Sequence, residues 1–389
     1  MQVYRSLFIL GMGKEIAQEE YLMTNRLINY RRIGNWENFF LDSAVYSIAK
    51  YIGVTYDNEF TPIAAITGDL FTYMYSDHLP CDSGLTNYVV IPERVVKAYA
   101  SFGWNCEYLS GKEVNRDIPT AISKIRASVD RGLPVLAWGV SGVPGMRSGE
   151  PMGEGALIGG YDDDVLLVHL YCGAERLPAV SYGDRPGVDE DGYTAIPAKE
   201  ALSGTDGLFI LTDKITPTEP DIVYREVIRQ IPVWLTLSPT GGRVSDTEQY
   251  VFGKAAFTSW ASVLLDDTVW QNCDEGTIWN QHCCAFCSLC TSTGSFGGDS
   301  RVVDWLNRAQ IACPDLPLMD TILPLYRKMS DLWKQIWDYQ NGFMPSVENM
   351  QNHDYRAYIA NTLIKMGNCC DEIYKVSKQR LRLSYAKHS

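Results

Sequence analysis

Basic residues are scarce in this 389-residue chain: 34 Lys and Arg against 47 Asp and Glu leave a formal charge of −13. Binding nucleic-acid phosphates takes a clustered surplus of cations, so a nucleic-acid partner is excluded. The only basic run, residues 375–387, is too short to reverse that. Long hydrophobic runs are also missing. The apolar stretch from Ser6 to Met12 is far shorter than the roughly 20 residues that span a bilayer, and no small-residue cleavage site follows it. No membrane partner and no secretory leader are therefore expected. Eleven cysteines are too dilute for a disulfide scaffold, and their number is odd. They read as reduced thiols of a cytoplasmic protein. What is present is ordinary globular material, 46% hydrophobic and 21% charged, which excludes wholesale disorder. At about 150 residues per domain the length predicts two domains.

The patterns change along the chain. Apolar residues at Ala44, Val45, Ile48, Ala49 and Ile52 have the i, i+3, i+4 spacing of a buried helix face over 42–53, with Gly53 placed as a C-cap. Further helices are predicted over Pro92–Phe102 and Ile118–Asp130, followed by Gly103 and Gly132. Short β-rich runs then appear at 133–140, 156–161, 164–171 and 207–212, with Asp162-Asp163-Asp164 as a hairpin turn. Helices followed by an antiparallel sheet predict an α+β fold. Two prolines in Thr216-Pro217-Thr218-Glu219-Pro220 mark a boundary, giving domains 1–217 and 218–389. The second is predicted to be all helical. It begins with a capping box at Ser245-Asp246-Thr247-Glu248 opening a helix to Leu265, and continues over 278–290, 300–311, 319–339 and 353–383.

Two segments carry a likeness. Phe40-Leu41-Asp42-Ser43-Ala44, ending in Tyr51-Ile52-Gly53, and Glu154-Gly155-Ala156-Leu157-Ile158-Gly159-Gly160-Tyr161-Asp162 lie in the order of the nucleophile helix and the histidine strand of papain-like cysteine peptidases and acyltransferases. The chain most resembles the butirosin-biosynthesis acyltransferase-like family, whose papain-like domain is followed by a helical partner. Tyr250-x-x-Gly253-Lys254-Ala255 and Trp260 look like the start of that partner. The resemblance implies a papain-like N-terminal domain. Carried across residue by residue, its nucleophile falls on Phe40, its histidine on Glu154 and its orienting acid on about Leu170. Thiolate attack needs a sulfur, a base and an orienter in reach of one another, and none of these three side chains restores that relay. The likeness thus implies a catalytically degenerate member that binds a small molecule, a peptide or a carrier-linked acyl group between its domains. An active cysteine acyltransferase or amide hydrolase with a relocated nucleophile is the alternative.

Several residues compete for a role. Asp42 and Glu154 could form an acidic pair at the degenerate site and favour an amine-bearing ligand, although N-capping is the plainer role for Asp42. Trp36, Trp138 and Tyr161 are the aromatics expected to line the cleft. Cys81, three residues after His78, is a candidate nucleophile, with a structural thiol as the simpler reading. Cys106, Cys172 and His169 lie among apolar neighbours and read as core residues. Cys284, Cys287 and Cys290, beside His282, have the CxxCxxC spacing of iron–sulfur ligands, which gives a third reading, a metal or cluster protein. Against it, the fourth Cys-Pro is absent, and a helix turns about 300° between these cysteines, so they share no face. No cofactor is therefore expected. Neither Gly139–Gly145 nor Gly11-Met12-Gly13 completes a phosphate or dinucleotide loop, and Asp162–Asp164 lacks a calcium ladder. The sequence leaves the oligomeric state open.

Overall fold

A computed structural model describes residues 25–27, 40–54, 61–76, 92–142, 152–170, 189, 191–236, 250–286, 289 and 300–386. The architecture is mixed α+β with a helical C-terminal region. The strands are β1 (Asn25–Arg26), β2 (Met74–Tyr75), β3 (Trp104–Ser110), β4 (Val135–Val140), β5 (Met152–Asp162), β6 (Val165–Leu170), β7 (Thr194–Pro197), β8 (Gly207–Lys214) and β9 (Val251–Phe252). Six of them form an antiparallel sheet in the order β3-β8-β4-β5-β6-β7, and β1 pairs with the far end of β5. The acidic trio is the β5–β6 turn. Asp163 takes φ +43°, a left-handed conformation that Asp tolerates because its short side chain bonds locally.

The helices of the first half are α1 (Phe40–Tyr51), α2 (Thr61–Thr67), α3 (Pro92–Ser101), α4 (Gly111–Arg116), α5 (Ile118–Asp130) and α6 (Ala198–Ser203). Their ends follow local chemistry. In α5, Asp117 Oδ1 accepts from the Thr120 N–H at 3.1 Å, a proline sits in the first turn, and Gly132 at φ +81° follows the last. Gly53 at φ +89° closes α1 in the same way.

Alternation along the strands gives the sheet two apolar faces. Leu136, Trp138, Leu157, Leu167 and Phe209 join α1, α2 and α3 in one core, while Val135, Ala137, Ile158, Val168 and Ile210 join α5 and α6 in another.

The second half contains α7 (Pro220–Trp234), α8 (Lys254–Leu265), α9 (Asp267–Trp270), α10 (Glu275–Ile278), α11 (Arg301–Ala312), α12 (Met319–Asp338), α13 (Val347–Gln351) and α14 (His353–Ala386). Its core is continuous with the α1 face of the sheet. Phe71 stacks on Trp234 at 5.6 Å and meets Trp305 and Tyr326 edge-on at 5.5 and 5.9 Å. Strand β2 pairs with β9, so chain on both sides of Pro217 shares one core.

Two helix predictions need correction. Ser245–Glu248 lies outside the described residues, and the helix ending at Leu265 starts only at Lys254. Residues 251–252 are taken by β2, and the Gly253 N–H donates to Tyr73 O at 2.8 Å, so helix cannot begin earlier. The helix expected over 278–290 is interrupted by a π-helical turn at Trp279–Cys283. Among the described residues, no helix is long and apolar enough to cross a membrane.

Candidate functional site

Phe40 opens α1, which packs across β4 and β5. Glu154 falls in a bulge of β5: Gly155 pairs with Trp138 and Met152 with Val140, so Gly153 and Glu154 together oppose Gly139. Bulges of this kind break the alternation that would otherwise fix a side chain's face. Leu170, where the orienting acid was expected, joins the core on the α5–α6 face, turned away from α1. Its neighbour His169 takes the α1 side. That ring stacks on Tyr193 at 3.9 Å and its Nε2 lies 3.1 Å from Asp191 O, as befits a satisfied core histidine. Arg26 closes the loop by bridging Asp189 and Asp191 at 3.1 and 2.7 Å.

Asp42 is the third residue of α1 and is fully buried, which corrects its assignment as an N-cap. Its Oδ1 accepts from Thr67 Oγ1 at 2.9 Å. The carboxylate it faces belongs to Asp69, just beyond α2 and 2% exposed. Burial first, and then the charge of Asp69, hold the Asp42 carboxyl well above the ordinary carboxylate range, so it keeps its proton. Arg94 completes the group: Nη1 donates to Thr67 O at 2.9 Å and the guanidinium lies 5.4 Å from the Trp234 ring centroid. Burial lowers its pKa to about 10, partly offset by Asp69, and it stays cationic at neutral pH. The acidic partner of Asp42 is thus Asp69, a residue the sequence reading missed. Among the described residues, no thiol or imidazole belongs to the group.

The predicted aromatic lining divides. Trp138 is 2% exposed in the α1-side core. Tyr161 packs against the opposite core, with its hydroxyl donating to Asp130 Oδ1 at 2.7 Å and Arg126 5.0 Å above its ring. A second bulge between Ile158 and Gly160 resets the alternation between them. With the sheet between them, these two rings cannot line one cleft. Trp36, His78, Cys81, Cys172, Cys287 and Cys290 lie outside the described residues.

Five of the described thiols are poor nucleophiles. Burial pushes Cys106 up to about 12 and raises Cys273, Cys313, Cys369 and Cys370. At 12 the thiolate fraction is about a thousandfold below that of an ordinary cysteine. Alkylation of the native protein, followed by mass spectrometry, should label these five at least about a hundredfold more slowly than the denatured chain. One fast site among them would restore the relocated-nucleophile reading. His282 and Cys283 are held by backbone: His282 Nε2 lies 2.6 Å from Gly342 O, and Cys283 Sγ donates to Phe343 O at 3.2 Å. Among the described residues, no three His, Cys, Asp or Glu side chains are grouped to hold a metal.

A concavity of ligand size lies elsewhere. A cleft of about 760 Å³ opens where the sheet meets the helices, with walls from both halves of the chain. Ile52 and Gly53 close one side; Trp104 and Lys214, paired across β3 and β8, form the second; Tyr224 and Trp305 form the third. The rings of Tyr224 and Trp305 lie 5.0 Å apart at 53°. Asp304 and Arg308 at the rim neutralise each other through a 3.2 Å ion pair. A side chamber of about 60 Å³ leads from shared lining residues toward Trp234. The cleft adjoins the C-terminal end of α1, ten residues and therefore about 15 Å from Asp42. Sequence reasoning missed these wall residues, although the proline-marked segment 216–220 that lines the cleft was visible in it.

No family model matches this sequence, and no curated protein matches it.

Proposed function

We propose that this protein is a catalytically degenerate papain-like protein that binds a small molecule, a peptide or a carrier-linked acyl group in the cleft between sheet and helices. One observation carries this reading: a cavity of ligand size, walled by aromatic side chains with a few charged groups at its rim. Two further features support it. The helix at the nucleophile position begins with Phe40, which has no group to activate, and the third residue of that helix belongs to a buried acid pair. The cleft also recruits both halves of the chain, the usual setting for ligand sites.

Filling the cleft tests the proposal. Thr218 lines both the main cleft and its side chamber from the segment before α7. Thr218→Trp should keep the circular dichroism of the parent while abolishing every thermal shift that a library of metabolites, peptides and acyl thioesters produces on the parent. Ligands that stabilise parent and variant equally would place binding outside the cleft and sink the reading.

A further inference from the structure

The charges of the cleft define its ligand more narrowly, on the premise that the cleft is the binding site. Of its four charged lining residues, Asp304 and Arg308 are spent on each other. The other two are Lys214, at the end of β8, and Glu219, immediately before α7. Both are exposed, and among the described residues neither side chain has an ion-pair or hydrogen-bond partner. They have opposite sign and stand at the two ends of one wall. The wall is stiff. Ile215 N–H donates to Gly103 O at 2.8 Å, and Thr216 and Glu219 each precede a proline, which keeps them extended; Glu219 has φ −58° and ψ 135°. At about 3.1 Å per residue, five steps of such chain set the Cα atoms of Lys214 and Glu219 about 15 Å apart, and side chains standing upright on the wall keep their charges at that spacing.

That spacing excludes a single amino acid as the match, because its ammonium and carboxylate share one carbon. An extended peptide advances about 3.3–3.6 Å per residue, so four or five residues bring its free ends about 15 Å apart. Between the two charges the cleft offers Trp104, Tyr224 and Trp305, surfaces for apolar and aromatic side chains. We infer that the cleft binds a short peptide with free ends, four to five residues long and apolar in its middle, its ammonium on Glu219 and its carboxylate on Lys214. No bond is made or broken in this step; it is recognition alone. An amine-bearing ligand in this arrangement carries a carboxylate as well, which the overall acidity of the chain does not foretell.

Isothermal titration of the full chain tests the assignment. The probes are a tetrapeptide of alanine and phenylalanine with free ends, its N-acetyl form, its C-terminal amide and the doubly blocked peptide. Exposed ion pairs are individually weak, so each blocked end should weaken binding about two- to fivefold, and blocking both about tenfold. Glu219→Gln should lose only the response to acetylation, and Lys214→Met only the response to amidation. A doubly blocked peptide that binds as tightly as the free one overturns the inference and leaves the cleft reading standing. So does a neutral fatty amide that binds the parent but not Thr218→Trp while no peptide binds. If none of these probes binds and the ligand library also fails, both readings fall.

Discussion

Gly253→Ala should cost about 2–4 kcal/mol of unfolding free energy, a large share of the 5–15 kcal/mol that typical domains possess. Gly253 sits at φ +60° and ψ −132°, where L side chains are strained, and a Cβ there would stand 2.1 Å from the Leu235 carbonyl oxygen. That neighbour is backbone, so no side-chain rotation relieves the clash. The same residue donates to Tyr73 O and follows the β9 strand that pairs with β2, so any shift also loosens the join between the halves. Urea unfolding followed by tryptophan fluorescence and by circular dichroism should give coincident transitions for parent and variant, because the core crosses the join. An unchanged midpoint would refute the strain argument. Transitions that separate between probes would refute the shared core.

The second large effect concerns Asp42. Because its folded pKa is raised above the ordinary 3.8, the native state holds a proton that the unfolded chain releases. The stability tied to that proton is fully present below pH 3.8 and drains away as pH rises toward the raised value. Asparagine mimics the protonated acid and keeps an acceptor for Thr67 Oγ1. Asp42→Asn should therefore be more stable than the parent at pH 8 and lose this downward slope. Asp42→Ala also loses the slope, and at low pH it should cost about 1–3 kcal/mol, because it removes the buried bond and leaves Thr67 Oγ1 only the Ile63 and Ala64 carbonyls at 3.1 and 3.3 Å. His282 supplies an internal control of opposite sign. Burial lowers its pKa to about 4, so its contribution falls as pH drops from 6.5, equally in parent and variants. The measurement is unfolding free energy at intervals from pH 4 to 8. If Asp42→Asn retains the parent's slope, the proton belongs to another group.

Much of the secondary structure was legible in the sequence because its signals are local. The bounds of α5 coincide with the prediction, since Asp117, Pro119 and Gly132 fix both ends within the segment itself. Strand β3 was passed over: Trp104-Asn105-Cys106-Glu107 lacks an apolar run, and it is a strand because β8 pairs with it. Helix α7 falls in the stretch expected to be helical, and Pro220 suits its first turn. The site was far less legible. The pairing of Asp42 with Asp69 spans 27 residues and depends on how α2 lies against α1, which no spacing encodes. Trp138 and Tyr161 looked like neighbours because both are aromatic and near the same strands. The bulge between Ile158 and Gly160 puts them on opposite faces, and bulges leave no reliable mark in sequence.

Helix α1 has twelve residues and is about 18 Å long, with the acid pair against its first turn and the cleft beyond its last. Sites separated by more than about 7–10 Å with no shared partners contribute additively to free energy. Replacements at Asp42 and at Ile52, which lines the cleft about 15 Å further along the chain, should then be additive in a double-mutant cycle. The two ends can accordingly be selected apart. One sets how firmly the chain folds, the other what it accepts, and a lineage can alter either without renegotiating the second.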